Sequence, residues 1–300
     1  MKFLQFSLHT LALCTLFLIA NTIPANAENW GTPESLGVSD TNFSEPHDLT
    51  ITQDGLYLLV ADKGNDVVKV LSPGDLKTIG EIGLGEFKSP HDVAIDRQNR
   101  LYVADSGNGR IMIYHFEGVS KYTGAQVELI DQWSEGIAGP EGVAIASSKR
   151  VYVADTKANA LLVIEGGKIV QSIHEAGGVT LSQPHDVEVG ADDTVYLSDP
   201  GNDRIVIFDK DLHYKRDLSP SDYGFDAPKY IELDDEGMLF VADQHNDRIV
   251  MLDRHMMPVG DIDEGIQVIG GPEGVCVAGR YIWVSDTAND RIVLFRRNRL

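Results

Sequence analysis

Residues 90–114 read PHDVAIDRQNRLYVADSGNGRIMIY. Two short apolar runs, one around Val93 and one over 101–104, are separated by the polar segment 97–99, and a third run follows from Arg110. Runs of this length that are rich in Val, Ile and Tyr and bounded by Gly, Asn and Asp are typical of consecutive antiparallel strands. The stretch therefore predicts a β-meander.

The same pattern recurs along the whole chain. Its leading proline returns at intervals of 44 or 50 residues, and the aspartate that ends the second run returns with it. The prolines are Pro46, Pro90, Pro140, Pro184, Pro228 and Pro272, and the aspartates are Asp62, Asp105, Asp155, Asp199, Asp243 and Asp286. A unit repeated every 40 to 50 residues or so is typical of a β-propeller blade, because one small sheet cannot bury both of its faces. Six copies predict an all-β, six-bladed β-propeller.

Each blade needs a fourth, outermost strand, and the sequence supplies one after five of the six repeats. The predicted segments are 77–83, 127–133, 168–173, 214–219 and 257–263. The sixth repeat ends too close to Leu300 to provide its own. We therefore expect residues 30–38 to pair beside the third strand of the last blade and close the ring, which removes the exposed edges of an open sheet.

The repeats resemble the NHL repeat, in which a proline-led strand is followed by L-Y-V-A-D and then by N-x-R-I and an aromatic residue. The match covers residues 44–295 and is complete in LYVADSGNGRI at 101–111 and VSDTANDRIVLF at 284–295. Repeat one has Val67 in place of the arginine. The D-x-x-N-x-R side chains recur in most blades, which indicates a structural role in the turn between two strands rather than a catalytic one.

The first 27 residues are predicted to be a secretory signal peptide. Lys2 precedes an apolar run over 11–20, and residues 25–27, Ala-Asn-Ala, form a small-x-small cleavage site. The run is shorter than the roughly 18 apolar residues of a membrane span, so we expect no membrane anchor. Residues 28–300 are then the propeller, exported to the periplasm or secreted. Cys276 is the one cysteine left after cleavage, so no internal disulfide is expected.

The charge of the chain bears on its partners. The formal net charge is −21 at pH 7. A field of that sign repels phosphate backbones and anionic lipid surfaces. We therefore expect no nucleic-acid partner, and we expect a monomer that binds a small molecule, a peptide or a protein.

The clearest candidate site follows from the repeat itself. The residue after each leading proline opens the innermost strand of its blade, so six such residues are expected to face one mouth of the central channel. This mouth ring consists of His47, His91, Glu141, His185, Lys229 and Glu273, and Asp48, Asp92 and Asp186 follow the three histidines. We predict that the ring binds a ligand; the alternative is a polar wall around a water-filled channel.

Three histidines in one register indicate a metal site, because neutral imidazole is the commonest transition-metal ligand in proteins. Zinc is bound by such nitrogens, usually through three protein ligands and a water when the site is catalytic. The adjacent carboxylates can orient the imidazoles or bind a hard cation such as calcium. Zinc and calcium are therefore the candidate cofactors.

The P-H-D triplets also resemble those of the peptidyl-α-hydroxyglycine α-amidating lyases, which are six-bladed propellers with NHL-like repeats. In that family three mouth histidines hold zinc, a deeper aspartate and backbone carbonyls hold calcium, and a tyrosine and an arginine act on the substrate. The resemblance implies that the zinc ligands are His47, His91 and His185 and that the calcium candidates are Asp48, Asp92 and Asp186. Tyr230 is the candidate base by position, and no motif matches the arginine.

Two functions stay open at this point. The first hypothesis is a binding or scaffold protein that presents the mouth face to a partner. The second is a zinc-dependent lyase that cleaves a hydroxyglycine-type carbinolamide. Fold alone does not separate them, because propellers host both kinds of function.

Overall fold

The computed structural model describes residues 31–40, 42–263 and 268–298. In this part of the chain nearly every element is a β-strand, and the strands form six four-stranded antiparallel sheets arranged as the blades of a propeller. The predicted all-β, six-bladed fold is confirmed. The predicted signal peptide, residues 1–27, lies outside the described residues.

The strands follow one another from the channel to the rim of each blade. The first strand, β1 Glu34–Val38, belongs to the last blade. Blade one contains β2 Pro46–Ile51, β3 Leu58–Asp62, β4 Val67–Leu71 and β5 Thr78–Ile82. Blade two contains β6 Pro90–Ile95, β7 Arg100–Asp105, β8 Arg110–Ser120 and β9 Gly124–Trp133. Blade three contains β10 Pro140–Ile145, β11 Val151–Asp155, β12 Ala160–Glu165 and β13 Lys168–Ile173.

A small hairpin, β14 Glu175–Ala176 and β15 Val179–Thr180, precedes the second half of the ring. Blade four contains β16 Val187–Val189, β17 Val195–Asp199, β18 Arg204–Phe208 and β19 Tyr214–Leu218, and the short helix α1 Pro220–Tyr223 follows it. Blade five contains β20 Pro228–Leu233, β21 Leu239–Asp243, β22 Arg248–Leu252 and β23 Pro258–Ile262. Blade six contains β24 Val275–Ala278, β25 Tyr281–Asp286 and β26 Arg291–Arg296. Among the described residues, no helix has the length and apolar composition of a membrane span.

The core lies between the blades. The described residues form six hydrophobic clusters, one at each interface between neighbouring sheets. The second strands, such as β3 and β11, are buried along their whole length because both faces touch a neighbouring blade. Cys276 is one of the buried side chains between blades six and one, where it packs with Leu49 and Trp283. Burial of apolar side chains between the sheets therefore holds the ring together.

The D-x-x-N-x-R side chains bind the turn after the second strand. In blade two, the Asp105 carboxylate accepts a hydrogen bond from the backbone amide of Lys88 at 2.7 Å, from Asn108 Nδ2 at 2.9 Å and from Arg110 Nε at 2.6 Å. Repeat one lacks the arginine, and its cation comes instead from Lys69, whose Nζ lies 2.8 Å from Asp62 Oδ2. These contacts are the structural role predicted for the motif.

The N-terminal strand closes the ring as predicted. Strand β1 pairs antiparallel with β26, from Glu34 opposite Arg296 to Val38 opposite Val293. An ion pair of 2.6 Å between Arg296 and Glu34 adds to this pairing. Blade six thus consists of three strands from the end of the chain and one from its beginning.

Deleting residues 28–40 is expected to lower the melting temperature by about 10 °C or more, because blade six loses an outer strand and the ring loses its closure. Thermal unfolding followed by circular dichroism measures the change. Deletion of residues 28–30 alone is the control and should leave the melting temperature nearly unchanged. An unaltered melt after the longer deletion would contradict a stabilising role for the closure.

The interval between Pro90 and Pro140 is 50 residues instead of 44, and the additional residues form an extended hairpin in blade two. Strands β8 and β9 continue past the usual length, and the hairpin folds onto blade one. The ring of Phe116 packs edge-on against that of Tyr57 with centroids 5.4 Å apart. A Cβ atom at Gly80 would lie 3.1 Å from the backbone nitrogen of Ala125, which is tighter than an ordinary van der Waals contact, so the hairpin packs closely against blade one at this point. The insertion therefore joins two blades.

Candidate functional site

The structure brings the three mouth histidines together. The ring centroids of His47 and His91 are 4.5 Å apart, and His185 lies 6.3 Å from each of them. All three side chains are buried. Glu141 and Glu273 lie beside them, within ion-pair distance of the imidazoles. Five of the six ring residues therefore form one contiguous cluster.

Two glycines allow the ring residues to approach one another this closely. Gly142 follows Glu141, and a Cβ atom there would lie 2.6 Å from the Cα of Asp186 in the next blade. Gly274 follows Glu273, and a Cβ atom there would lie 2.3 Å from the carbonyl oxygen of His47. The inner strands of blades three and four, and of blades six and one, are thus in backbone contact. Glu141 is thereby placed beside His185 of blade four, and Glu273 beside His47 of blade one.

Glu141 orients His185. The carboxylate oxygen Oε2 of Glu141 lies 2.5 Å from Nδ1 of His185 and also accepts a hydrogen bond of 2.9 Å from the Thr156 hydroxyl. The proton of a neutral His185 is therefore on Nδ1, and Nε2 carries a free lone pair. That Nε2 atom is buried and has no hydrogen-bond partner among the described residues. A carboxylate on one imidazole nitrogen and an open second nitrogen is the usual arrangement of a metal-binding histidine.

Gln244 holds Glu273 in a comparable way. The amide Nε2 of Gln244 donates to Oε1 of Glu273 at 2.6 Å. The other carboxylate oxygen, Oε2, is buried and forms no hydrogen bond within the described chain. It lies 3.0 Å from Nδ1 of His47 and 3.8 Å from Nε2 of His185. The His47 Nδ1 atom is likewise buried, and its approach to Glu273 lacks the alignment of a hydrogen bond.

Three unsatisfied buried atoms therefore converge on one point. His47, His185 and Glu273 each offer one ligand atom within 4.8 Å of the others, and we call these residues the mouth triad. Buried polar atoms are normally hydrogen-bonded, so three neighbouring exceptions require a physical reason. Two imidazole nitrogens and a carboxylate oxygen are suitable ligands for zinc and other first-row divalent ions.

His91 lies beside the mouth triad without joining it. Its Nδ1 bonds to the carbonyl oxygen of Ser89 at 2.8 Å, and its Nε2 is 3.9 Å from Oε1 of Glu141. The mouth triad therefore contains two of the three histidines that the sequence offered as zinc ligands, with Glu273 in the third place.

The protonation of the cluster suits a cation. Burial lowers the pKa of His47, and burial together with His47 lowers the pKa of His91 to about 3, so both imidazoles are neutral near pH 7. Burial opposes ionisation of Glu141, but the hydrogen bond from His185 and its charge outweigh this and bring the pKa of Glu141 to about 2. Although burial opposes the charged form of His185, its close contact with Glu141 and the nearby carboxylate of Glu273 raise the pKa of His185. A metal ion at this point would displace the second proton of His185.

Tyr230 forms the floor beneath the mouth triad. Its ring centroid lies 5.0 Å from that of His185 and 6.2 Å from that of His47, edge-on to both. Its hydroxyl donates to the carbonyl oxygen of His91 at 3.0 Å and lies 3.1 Å from that of Glu141. Burial and the surrounding carboxylates raise the pKa of Tyr230 well above its usual value. The residue thus links blade five to blades two and three across the channel.

Below this floor lies a layer of carboxyl groups that includes the calcium candidates. The carboxyl groups of Asp48 and Asp92 are neighbours that affect each other's pKa, and Asp186 accepts hydrogen bonds from the backbone amides of Val187 at 2.7 Å and Ile231 at 2.8 Å. The layer borders a cavity of about 520 Å³. Its members, called the acidic layer below, are Asp48, Asp92, Asp186, Glu188 and Glu232.

Burial raises the pKa values of the whole acidic layer. The pKa of Asp92 rises to about 6 and that of Glu232 to about 8. Glu188 and Glu232 were not among the residues predicted from the sequence. Each stands two positions after a residue already assigned to the channel, Asp186 and Tyr230, so the two-residue period of a strand was the signal that could have found them.

Two further site residues were missed at the sequence level. Thr156 and Gln244, which hold Glu141 and Glu273, directly follow the strand-ending Asp155 and Asp243. Ser106 in blade two and Thr287 in blade six occupy the same position of the repeat. The hydroxyls of Ser106 and Thr287 donate to the proline carbonyls of the next blades, and the Thr156 hydroxyl, which holds Glu141, also lies 2.6 Å from the carbonyl oxygen of Pro184.

Comparison with known proteins identifies an NHL repeat at residues 87–114. Human NHL repeat-containing protein 3 is 30% identical over 176 residues, which are 53% of this chain and 48% of the human protein. Peptidyl-glycine alpha-amidating monooxygenase B of Xenopus laevis is 32% identical over 124 residues, 38% of this chain and 14% of that protein. The chain therefore spans about half of the first relative and a small part of the second.

Solved structures with the same fold include virginiamycin B lyase from Staphylococcus aureus, with a TM-score of 0.63, 14% identity and coverage of 88% of this chain and 98% of that one. Hydrazine synthase of Kuenenia stuttgartiensis gives a TM-score of 0.62 at 14% identity, with 89% and 99% covered. At these identities the likeness concerns the fold alone. The predicted resemblance to NHL-repeat propellers is confirmed by the repeat match and by the relatives.

Proposed function

We propose that this protein is a ligand-binding propeller that holds one divalent metal ion in the mouth triad. The observation that carries the proposal is the convergence of three buried atoms without hydrogen-bond partners on His47, His185 and Glu273. Leaving such atoms unsatisfied costs about 1 to 3 kcal/mol each, and a bound metal ion would remove that cost.

Zinc is the ion that the donor set favours first. Two imidazoles and one carboxylate are a common set of three protein ligands for zinc, and they leave a coordination position open for a ligand or a water molecule. The bound ion would act as a Lewis acid toward a carbonyl or a water in that position. Glu141 would orient His185, and Gln244 would orient Glu273.

The test is elemental analysis of protein purified without chelators. We expect about one equivalent of a first-row metal, lost in the His47→Ala, His185→Ala double variant. The exposed His245 offers a matched control, since His245→Ala should retain the metal. A folded wild-type protein that contains no metal, and takes up none on dialysis against zinc, would refute the proposal.

Calcium at the acidic layer is a second part of the proposal. Asp48, Asp92 and Asp186 are hard oxygen ligands, and a cation among them would relieve the repulsion that accompanies their ionisation. Calcium should raise the melting temperature of the wild-type protein, and Asp186→Asn should abolish that increase. An equal calcium effect in the variant would exclude this position.

A metal-dependent lyase is the second candidate function. The 32% match to peptidyl-glycine alpha-amidating monooxygenase B and the mouth histidines favour it. In this case Tyr230 is the candidate base by position, and the bound metal ion would have to lower its raised pKa for it to accept a proton from a peptidyl-α-hydroxyglycine substrate. Release of glyoxylate from such a substrate by the metal-loaded protein tests the activity, and its absence would leave the binding function.

Replacement of Tyr230 by phenylalanine separates a positioning role from a catalytic one. Because the hydroxyl donates to the carbonyl of His91 and fixes the ring that packs against His185 and His47, its loss is expected to weaken metal binding by about tenfold at most. Competition with a chromophoric chelator measures the affinity. Tyr152→Phe, in a buried tyrosine away from the mouth, is the control. Unchanged metal affinity with loss of lyase activity would instead identify Tyr230 as a base.

Export is proposed from residues 1–27, and the absence of a nucleic-acid partner from the net charge of −21. The protein is also proposed to be a monomer. The amino-terminal sequence of the protein recovered from the producing cells tests the cleavage after residue 27. An uncleaved amino terminus would contradict it.

A further inference from the structure

The channel has a second opening, at the end opposite the mouth. The cavity of about 520 Å³ that borders the acidic layer reaches the loops beyond the inner strands of blades one to four. Small-molecule sites have volumes of roughly 300 to 1,000 Å³, so this space is large enough for a ligand. We call it the lower cavity. Its rim contains the second residue after the end of each inner strand: Gln53, Arg97, Ser147 and Ala191.

Tyr230 separates the lower cavity from the mouth triad. Its side chain is fully buried, and its hydroxyl donates to the carbonyl oxygen of His91 at 3.0 Å across the channel. The residues of the mouth ring, all of which lie in the described chain, do not line the lower cavity. The lower cavity is therefore a compartment of its own, and its ligand need not contact a metal ion in the mouth triad.

The wall of the lower cavity is asymmetric at its inner end. The residue four positions after each leading proline contributes to this part of the wall in blades one to five. In blades one to three this residue is small, and in blades four and five it is a glutamate. Two carboxyl groups on neighbouring blades thus lie opposite three short side chains, which leave the space open. The five residues are Thr50, Ala94, Ala144, Glu188 and Glu232.

Neither glutamate has a cationic partner. Glu188 accepts a hydrogen bond from the amide of Val189 at 3.0 Å, and Glu232 accepts one from the amide of Val277 at 3.4 Å. Within the described ranges, neither carboxyl group forms an ion pair. The carboxylates between the blades differ in this respect, since Asp105, for example, is paired with an arginine at 2.6 Å. Because a charge removed from water is costly unless it is paired, the two glutamates favour a cationic ligand.

The shape of the site favours an organic cation over a metal ion. Glu188 and Glu232 belong to neither of the two groups of described side chains in which three metal-ligating atoms converge. An ammonium or guanidinium group carries several N–H donors and can bind two carboxyl groups without such convergence. Ala94 and Ala144 leave space beside the carboxyl groups for an aliphatic stem. The inner end of the cavity therefore suits an amine or a guanidine on a short carbon chain.

The rim limits the number of positive charges on the ligand. Arg97 and Lys149 are exposed at the rim, and in the described part of the chain neither side chain forms an ion pair. Arg100, which also lines the cavity, is paired with Asp96 at 2.6 Å. A second cationic group at the outer end of the ligand would be repelled by the two unpaired cations. The ligand should therefore carry one positive charge, at the end bound by the glutamates.

We propose that the lower cavity binds a small monovalent organic cation, an amine or a guanidine on a short aliphatic stem, whose charged group lies between Glu188 and Glu232. This site is separate from the proposed metal site of the mouth triad and does not depend on it. Calcium at the aspartates of the acidic layer would be its neighbour, so the two cations are tested apart.

The test is isothermal titration of the full protein in calcium-free buffer at pH 8.5, where Glu232 is largely ionised. Butylamine, 1-butanol and 1,4-diaminobutane are titrated separately. Butylamine is expected to bind and 1-butanol is not, because the alcohol lacks the charge. The diamine is expected to bind no more tightly than butylamine. Non-specific attraction to a chain with a net charge of −21 would give the opposite order, with the diamine bound more tightly.

Two kinds of variant locate the site. Glu188→Gln and Glu232→Gln should each weaken butylamine binding about tenfold, and the double variant should abolish it. Ala94→Leu keeps both carboxyl groups but fills the space beside them, and it should also abolish binding. Glu128→Gln, at an exposed position of β9, is the matched control and should bind butylamine as the wild type does.

Circular dichroism confirms that each variant is folded. Three results would overturn the lower cavity as a cation site. The first is a wild-type protein that does not bind butylamine, and the second is tighter binding of the diamine than of butylamine. The third is unchanged butylamine affinity in the folded double glutamine variant or in Ala94→Leu.

Discussion

Replacement of Glu273 by glutamine is expected to weaken metal binding by at least about a hundredfold. Loss of a residue that only orients a metal ligand usually lowers the affinity by about 10-fold to 100-fold. The variant keeps the shape of the side chain and the contact with Gln244, but it removes the charge from Oε2 of Glu273, a buried carboxylate oxygen that has no hydrogen-bond partner among the described residues. His185→Ala should have an effect of the same size. Isothermal titration or competition with a chromophoric chelator gives the affinities.

The neighbours of the mouth triad provide graded comparisons. Glu141→Gln should weaken binding by about 10-fold to 100-fold, because Glu141 orients His185 without contacting the ion. His91→Ala should change the affinity little, since its Nδ1 is held by Ser89 and it lies outside the triad. If His91→Ala abolished binding while Glu273→Gln did not, the three-histidine site implied by the sequence would be correct and the mouth triad would be wrong.

The fold could be predicted in detail because its determinants are local and repeated. Each leading proline and each strand-ending aspartate recurs in step, so an error in one blade is corrected by the other five. The outer strand predicted at 168–173 is observed as Lys168–Ile173, and that predicted at 214–219 as Tyr214–Leu218. Ring closure followed from counting, since the sixth repeat had no room for a fourth strand.

The structure also explains how blade one compensates for the missing arginine of the repeat motif. Val67 replaces the arginine of the motif in blade one, but Lys69 lies two residues later on the same face of β4. Its ammonium group takes the place of the guanidinium at Asp62. The ion pair is therefore preserved although the motif is not.

The composition of the mouth could be predicted from register, but the pairing within it could not. Sequence position places six residues on one ring and says nothing about side-chain rotamers. The close approach at Gly142 and Gly274 brings Glu141 to His185 and Glu273 to His47, and this depends on backbone distances between blades. Thr156 and Gln244 come from a different turn of the repeat, so no spacing along the chain connects them with the glutamates that they hold.

The acidic layer is expected to have a second large effect, on the pH dependence of the protein's stability. Burial raises the pKa of Glu232 from 4.5 to about 8, and burial together with Glu232 raises that of Glu188. The folded protein therefore binds protons at these groups that the unfolded chain has already released at neutral pH. By linkage, the free energy of unfolding falls as the pH rises from about 6.5 toward 8 and above. Below about 6.5, the lowered pKa values of His47 and His91 act in the opposite direction.

Glu232→Gln should remove much of this loss, because glutamine keeps a hydrogen-bonding side chain toward Glu188 without a negative charge. A pKa difference of one corresponds to about 1.4 kcal/mol, so the variant is expected to melt about 5 °C or more above the wild type at pH 8.5 in calcium-free buffer. At pH 6 the two proteins should differ less. Glu128→Gln, at an exposed position of β9, is the control and should follow the wild-type profile. Equal slopes for wild type and Glu232→Gln between pH 6.5 and 8.5 would show that Glu232 is ionised in the folded protein, with its charge already compensated within the channel.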